Sequence, residues 1–470
     1  GNGFIEQSFN FGETSTVTIQ ARGREYNGWP VMKVFVEGES LGEVSVNSDQ
    51  YAPYTFTVER SDGAAALRIV YDNDEFGGDG LDRDLIIADV TVSVSEAAPL
   101  PDELASELES VSDDAFVLTG YEMAALLSFS LTGSTPDDVA LGKAESGELL
   151  TAASIVAESE RLLATPAARA HIGSFATDWL GTDEVLSVGK NAELFPDFDA
   201  SVRESMLEEV EQLFLHVLYT DAPPSDLLDA TYAVVNGELA NFYGLSTVPA
   251  SGFEAVDGEG KRGGLLRTGA FLASNAGFED SSLIQRAVRI RNAVMCQDIP
   301  PPGDAIVNSG RSEALESAFS DLTPTEIEAL STREYVERQT SLETCATCHE
   351  TMINPLGGGF ESYDAIGRYR TTDNGQPVDT SGALIGISEV FNTSEEVTYD
   401  DVSELGDILA GLEEPDQCLA ENVVAYMASS QLSVRDACIL DPLVEQLDGG
   451  SSLSTVFEQV GALETVRFRQ

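Results

Sequence analysis

Five consecutive residues have types and spacing that suit one chemistry: Cys345-Ala346-Thr347-Cys348-His349. Two thiols three positions apart, on a tight turn into a helix, span the separation of the two vinyl groups of one haem and can add to both. The histidine that follows falls beneath the iron and donates a ring nitrogen. Two rivals exist. A zinc site needs two further ligands at suitable spacing, and Cys418 and Cys438 form no second C-x-x-C. A thiol–disulfide pair would sit in a βαβ context, which the flanking sequence lacks. The residues therefore read as one covalent haem c, attached through Cys345 and Cys348, with His349 as proximal iron ligand. No catalytic residue is assigned.

The sixth iron ligand stays open. Met352 follows His349 by three residues, and on a continuing helix both share a face, so Met352 is a haem neighbour on the proximal side. Met295, Met427, His171 and His216 are candidates from elsewhere, and an open position is the remaining alternative. A filled site favours electron transfer, and an open one permits peroxide chemistry.

The elements that must position this motif change character along the chain. Residues 1–95 read as all-β. Thr16–Ala21, Val31–Glu37, Tyr54–Val58, Ala66–Tyr71 and Leu85–Val92 alternate with period 2 between Gly, Asn, Asp and Pro turns, which predicts a β-sandwich. Residues 96–114 are acidic, contain Pro and lack aromatics, as a linker does. From 115 to 250 the apolar spacing is helical, with Ser134 and Thr165 as caps before Pro136 and Pro166. Residues 262–395 hold the haem motif among Gly-rich turns, and 400–470 return to helix. The fold class is thus multidomain: an N-terminal β-sandwich, then a mainly α-helical region containing a c-type cytochrome domain.

With 470 residues, several cores are expected. The 81 acidic residues outnumber 25 basic ones, for a net charge of −56. Such a field repels nucleic acid and anionic membranes. It suits a medium of salt and divalent cations, either for solubility alone or because carboxylates build cation sites. No run of about 18 apolar residues is present, so no transmembrane segment is predicted. No leader opens the numbered chain at Gly1, so an export signal would have been removed or lie upstream. Haem is attached to c-type cytochromes outside the cytoplasm, which places the protein in the periplasm, at the cell surface or outside the cell.

Larger stretches carry a resemblance. Gly263-Gly-Leu-Leu through Pro300-Pro-Pro, followed by Cys345-Ala-Thr-Cys-His-Glu-Thr-Met-Ile-Asn-Pro-Leu-Gly-Gly-Gly-Phe-Glu-Ser-Tyr-Asp-Ala-Ile-Gly-Arg-Tyr-Arg, resembles a haem c domain of large secreted bacterial proteins, a family named only as a domain of unknown function. Tyr121–Phe129, Pro136-Asp-Asp, Phe175–Leu180 and Asn236–Gly244 resemble its usual preceding partner domain, and the final helical segment resembles a third. The resemblance implies a secreted or periplasmic haem protein. It also places Cys418 and Cys438 where such proteins often carry cysteines. A Cys418–Cys438 disulfide stapling the last helices is therefore expected, with Cys296 paired to one of them as the rival. In the haem region Asn354-Pro355 is expected to end the helix, and Gly357–Gly359 to let backbone approach the haem. Pro355 and Phe360 are further haem neighbours. Arg368 and Arg370 would bind propionates, or else join Glu361 and Asp364 in a local ion-pair network.

Residues 8–92 resemble a calcium-dependent carbohydrate-binding module of the xylan-binding kind. The resemblance rests on Ala21-Arg-Gly-Arg-Glu-Tyr-Asn-Gly-Trp-Pro-Val-Met-Lys-Val-Phe-Val-Glu-Gly, Tyr51-Ala-Pro-Tyr-Thr-Phe, Val70-Tyr-Asp-Asn-Asp and Asp82–Val92. It implies a Ca2+ site from Asp72, Asn73, Asp74, Asp79, Asp82 and Asp84. Six carboxylates within thirteen residues, Glu75 included, repel one another unless a cation sits among them. Asp84 stands where asparagine is common in such modules. Tyr26, Trp29 and Phe76 are candidate sugar-stacking faces. The bland alternatives are a solvated acidic loop and a core role for Trp29.

The combined expectation is a secreted c-type cytochrome. It would bind a xylan- or cellulose-like polysaccharide with Ca2+ and exchange electrons with a redox partner protein that its acidic surface attracts. A haem peroxidase or oxidase acting on carbohydrate-linked substrates is one alternative. A haem-containing surface adhesion or assembly protein, with copies that self-associate, is another. A hydrolase is disfavoured, because no G-x-S-x-G motif is present.

Overall fold

A computed structural model of the chain describes residues 2–12, 14–60, 63–78, 81–94, 116–220, 222–299, 317–386, 396–428 and 437–469. They fall into two units, Gly1–Ala105 and Ser106–Gln470.

The first unit is a sandwich of antiparallel strands. One sheet has the order β1-β6-β3-β4, from Gly3–Phe11 (β1), Gly63–Tyr71 (β6), Val31–Val36 (β3) and Glu39–Ser45 (β4). The other has the order β5-β2-β9, from Ala52–Glu59 (β5), Thr14–Arg24 (β2) and Asp84–Val94 (β9). Alternation decides the faces. Val17, Ile19 and Ala21 of β2 meet Met32, Val34 and Val36 of β3 and Leu67 and Ile69 of β6 in the core. The five alternating runs are all strands here. The edges of the first sheet, β1 and β4, carry no such run. β1 is exposed on both faces along most of its length, so its residues carry no alternation to read. It is recruited by register with β6, Gly3 opposite Tyr71 and Phe11 opposite Gly63. A short hairpin, Phe76–Gly78 (β7) with Leu81–Asp82 (β8), leads into β9.

The second unit is mainly helical. Thr165 caps helix Pro166–Leu180 with Pro at its first turn, as the sequence predicts. Ser134 does not cap; Asp137 accepts from Ala140 N–H and starts helix Asp138–Ser146 instead, a carboxylate being an equally good cap one residue before the helical backbone. Phe457 meets Phe175 and Phe214 edge-on at 5.7 and 6.1 Å. These rings join helices Pro166–Leu180, Ala200–Tyr219 and Leu453–Val460. Phe116–Val117 pairs with Phe468–Arg469. Residues from all three helical segments of the sequence thus share one core.

Four arginines, Arg262, Arg267, Arg286 and Arg291, are fully buried. Their forks bind main-chain carbonyls rather than carboxylates. Arg286 donates to the carbonyls of Leu272, Phe360, Tyr363 and Asp364 at 2.8–3.1 Å. Loop carbonyls buried away from water need such donors, and a guanidinium supplies five in a fixed fork.

Candidate functional site: a thiol–histidine turn and an acidic loop

Cys345 and Cys348 lie on helix Glu343–Cys348, one turn apart. Both thiols are free, Cys345 half-buried and Cys348 exposed. Among the described residues, no set of further metal-ligating side chains converges on them; the one cluster of three that could hold an ion is elsewhere. That donor set fits thioether attachment and not a four-ligand zinc site.

At His349 the winding changes. His349–Ile353 is a π turn, and the Asn354 N–H bonds the His349 carbonyl five residues back. An α-turn would bring Ile353 over His349. The wider turn brings Asn354 there instead. Asn354 Oδ1 lies 3.1 Å from His349 Nδ1, and Asn354 Nδ2 donates to Thr340 Oγ1 at 2.8 Å. No other described residue bonds the imidazole, so Nε2 remains available as a donor atom to iron. A cleft of about 800 Å³ opens beside this turn, but neither thiol nor His349 lines it. Glu350, Asn354, Pro355, Arg333, Arg338 and Tyr399 line part of it.

Asn354-Pro355 does not end the helix. Asn354 keeps helical angles, and Asn354–Gly357 and Gly358–Ser362 carry the helical path onward. The π turn restarts the winding, so Pro355 occupies a first turn, where its missing N–H costs nothing. The glycines that follow serve the protein's own packing. A Cβ on Gly357 would stand 2.2 Å from the Leu283 carbonyl oxygen, and one on Gly359 2.6 Å from the Tyr399 ring. Phe360 is fully buried, 6.1 Å from Phe271. Met352 is partly buried against the helical core, and its carbonyl accepts from Arg291. Arg370 is held by Glu361 at 2.9 Å and Asp373 at 2.6 Å. Arg368 pairs with Asp197 at 2.8 Å and stacks on Phe242. Arg370 thus pairs locally with Glu361 and Asp373, whereas the Arg368 side chain reaches a carboxylate distant in the chain. Burial raises the Glu361 carboxyl, against the pull of Arg370. Of the distal candidates, His171 bonds the Tyr426 hydroxyl, His216 packs edge-on to Tyr232, and Met295 and Met427 are core residues.

The expected Cys418–Cys438 bridge is corrected: Cys418 is bonded to Cys296, with Cα atoms 5.3 Å apart. The Cys438 side chain lies outside the described residues. Cys296 follows a second π turn, Ile290–Val294, just beyond its capping residue Met295. Helix Glu413–Ala428 packs on that turn, which sets Cys418 opposite it.

In the β unit, Asp74, Asp82 and Asp84 bring one carboxylate oxygen each within 4.8 Å of the others, half-buried. The loop between β6 and β7, strand β8 and the start of β9 supply them. The other expected ligands are placed differently. Asp72 pairs with Lys33 at 2.8 Å. Asn73 accepts from Val31 N–H and donates to the Trp29 carbonyl, tying the loop to β3. Asp79 lies outside the described residues. Arg83, unremarked in sequence, organises the site: it donates to the carbonyls of Tyr26, Asn27, Gly28 and Asn73 and to Glu75. Burial, with Asp74 next, pushes the Tyr71 hydroxyl up to about 12. Phe76 is 70% exposed. Tyr26 lies against Gly77, where a Cβ would meet its hydroxyl, and Trp29 is half-buried.

Three known families match the chain in succession. Residues 16–106 match the family described as Ca-dependent carbohydrate-binding module xylan-binding (CBM60). Residues 118–245 match PSD4, a protein of unknown function (DUF1592), and 262–373 match PSCyt3, a protein of unknown function (DUF1588). The last of these segments holds the thiol–histidine turn. No curated protein and no solved structure matches the chain. Among the described residues, no helix is long and apolar enough to cross a membrane.

Proposed function

We propose that the chain is an exported c-type cytochrome that binds a xylan- or cellulose-like polysaccharide through its β unit and exchanges single electrons with a partner protein. The observation that carries this reading is the turn at His349: two unbridged thiols three residues apart, followed by an imidazole whose Nδ1 is already engaged. Cys345 and Cys348 would hold the haem by thioethers, and His349 Nε2 would face its iron. Bound haem would supply reversible one-electron chemistry. The Cys296–Cys418 disulfide supports an oxidising compartment. In the β unit, Asp74, Asp82 and Asp84 would ligate Ca2+ through hard oxygens, with sugar hydroxyls completing its shell. Exposed Phe76, beside that loop, would offer a ring to the sugar face. The net charge of −56 favours a basic redox partner.

The test is the intact mass and reduced visible spectrum of the protein exported from a host with c-type maturation. A porphyrin adduct lost in C345A/C348A is the expected result. A colourless protein without added mass would overturn the reading. Sedimentation with insoluble xylan, with and without chelator, tests the other arm. Rapid carbon monoxide binding by the reduced protein would shift the reading from carrier to haem peroxidase or oxidase.

A further inference from the structure

We infer that Asn354, held by Thr340, is a positioning residue that sets both the tautomer and the basicity of the His349 imidazole. The inference rests on the haem reading above. The hydrogen bonds form a chain with one consistent direction. A threonine hydroxyl has one proton, and Thr340 spends it on the Val336 carbonyl at 2.7 Å. Thr340 Oγ1 can therefore only accept from Asn354, which turns the amide NH2 toward Thr340 and Oδ1 toward His349. Oδ1 only accepts, so His349 carries its proton on Nδ1 and donates it. Nε2 is left with the lone pair that iron needs. Thr340 and Asn354 are each 6% exposed and the bond between them is buried, whereas His349 is half-buried. The π turn matters because it alone sets residue 354 over residue 349.

The acceptor is a neutral amide. A carboxylate there would draw on the Nδ1 proton, make the imidazole a stronger donor and favour ferric iron. The amide keeps the ligand weakly basic, which keeps the reduced state accessible, as an electron carrier needs.

The experiment is spectroelectrochemical titration of the full-length haem-loaded protein. N354D should shift the one-electron equilibrium toward ferric iron roughly tenfold, the usual scale of such outer partners, a fall of about 59 mV. T340V, which releases the amide to flip, should move the potential too, and T340S should restore it. Melting temperatures separate a folding loss from tuning. If N354D does not fold, the T340V and T340S pair decides. Haem-loaded, folded variants with the wild-type potential would overturn the inference. A wild-type protein without attached haem would instead overturn the haem reading.

Discussion

Removing the Cys296–Cys418 crosslink isolates one interaction between segments far apart in the chain. The two cysteines are 122 residues apart. In the chain-entropy treatment, closing a loop of that length in the unfolded state corresponds to about 5 kcal/mol at 25 °C. The native side of the balance changes little. Cys418 is 1% exposed, and its sulfur lies 3.2 Å from the Ala293 carbonyl oxygen, so a serine hydroxyl has a ready acceptor there. A unit as large as Ser106–Gln470 has a large unfolding entropy, so this loss translates into roughly 5–10 °C of melting temperature. The assay is calorimetry of the wild type, C296S/C418S and C438S, with peptide mapping under non-reducing conditions. C296S/C418S should melt lower by that amount, C438S should leave the crosslink in place, and reductant should lower the wild type and C438S but not C296S/C418S. A mapped Cys418–Cys438 peptide would refute the pairing. A double variant within about 2 °C of the wild type would refute the entropic argument.

Three more outcomes are expected. Calcium at a hundred times its dissociation constant should raise the stability of the β unit by about 2.7 kcal/mol, and D82N should abolish the gain, as read by calorimetry with and without chelator. Burial pushes the Glu209 carboxyl up to about 7, against the pull of Arg262 and its bonds from Tyr243 and Gly269. Because an unfolded glutamate ionises near about 4.3, the native state holds the extra proton between those values. Stability from this group is therefore highest at low pH, falls as pH rises to about 7 and is flat above. E209Q should remove a slope on the order of 3 kcal/mol, measured by urea unfolding across pH. R286M keeps volume but strands four buried carbonyls; it should cost at least about 3 kcal/mol in the same assay.

Short-range features are legible in the residues alone. Period-2 runs mark β2, β3, β5, β6 and β9, because a half-buried strand must alternate. Thr165-Pro166 marks a helix start, because both residues act within one turn. The C-A-T-C-H spacing is legible for the same reason: its chemistry lies within five residues. Tertiary structure decided the rest. Cys418 finds Cys296 because helix Glu413–Ala428 packs on the Ile290–Val294 turn, and spacing carries no record of that. Asp74, Asp82 and Asp84 converge while Asp72 turns to Lys33, a choice set by where β3 and β9 run. Arg370 meets Glu361 and Asp373 in a buried network. Asn354 reaches His349 only because the helix widens by one residue there. Chain stiffness writes short-range pairings into neighbouring residues, whereas long-range ones depend on which surfaces the folded core leaves in contact.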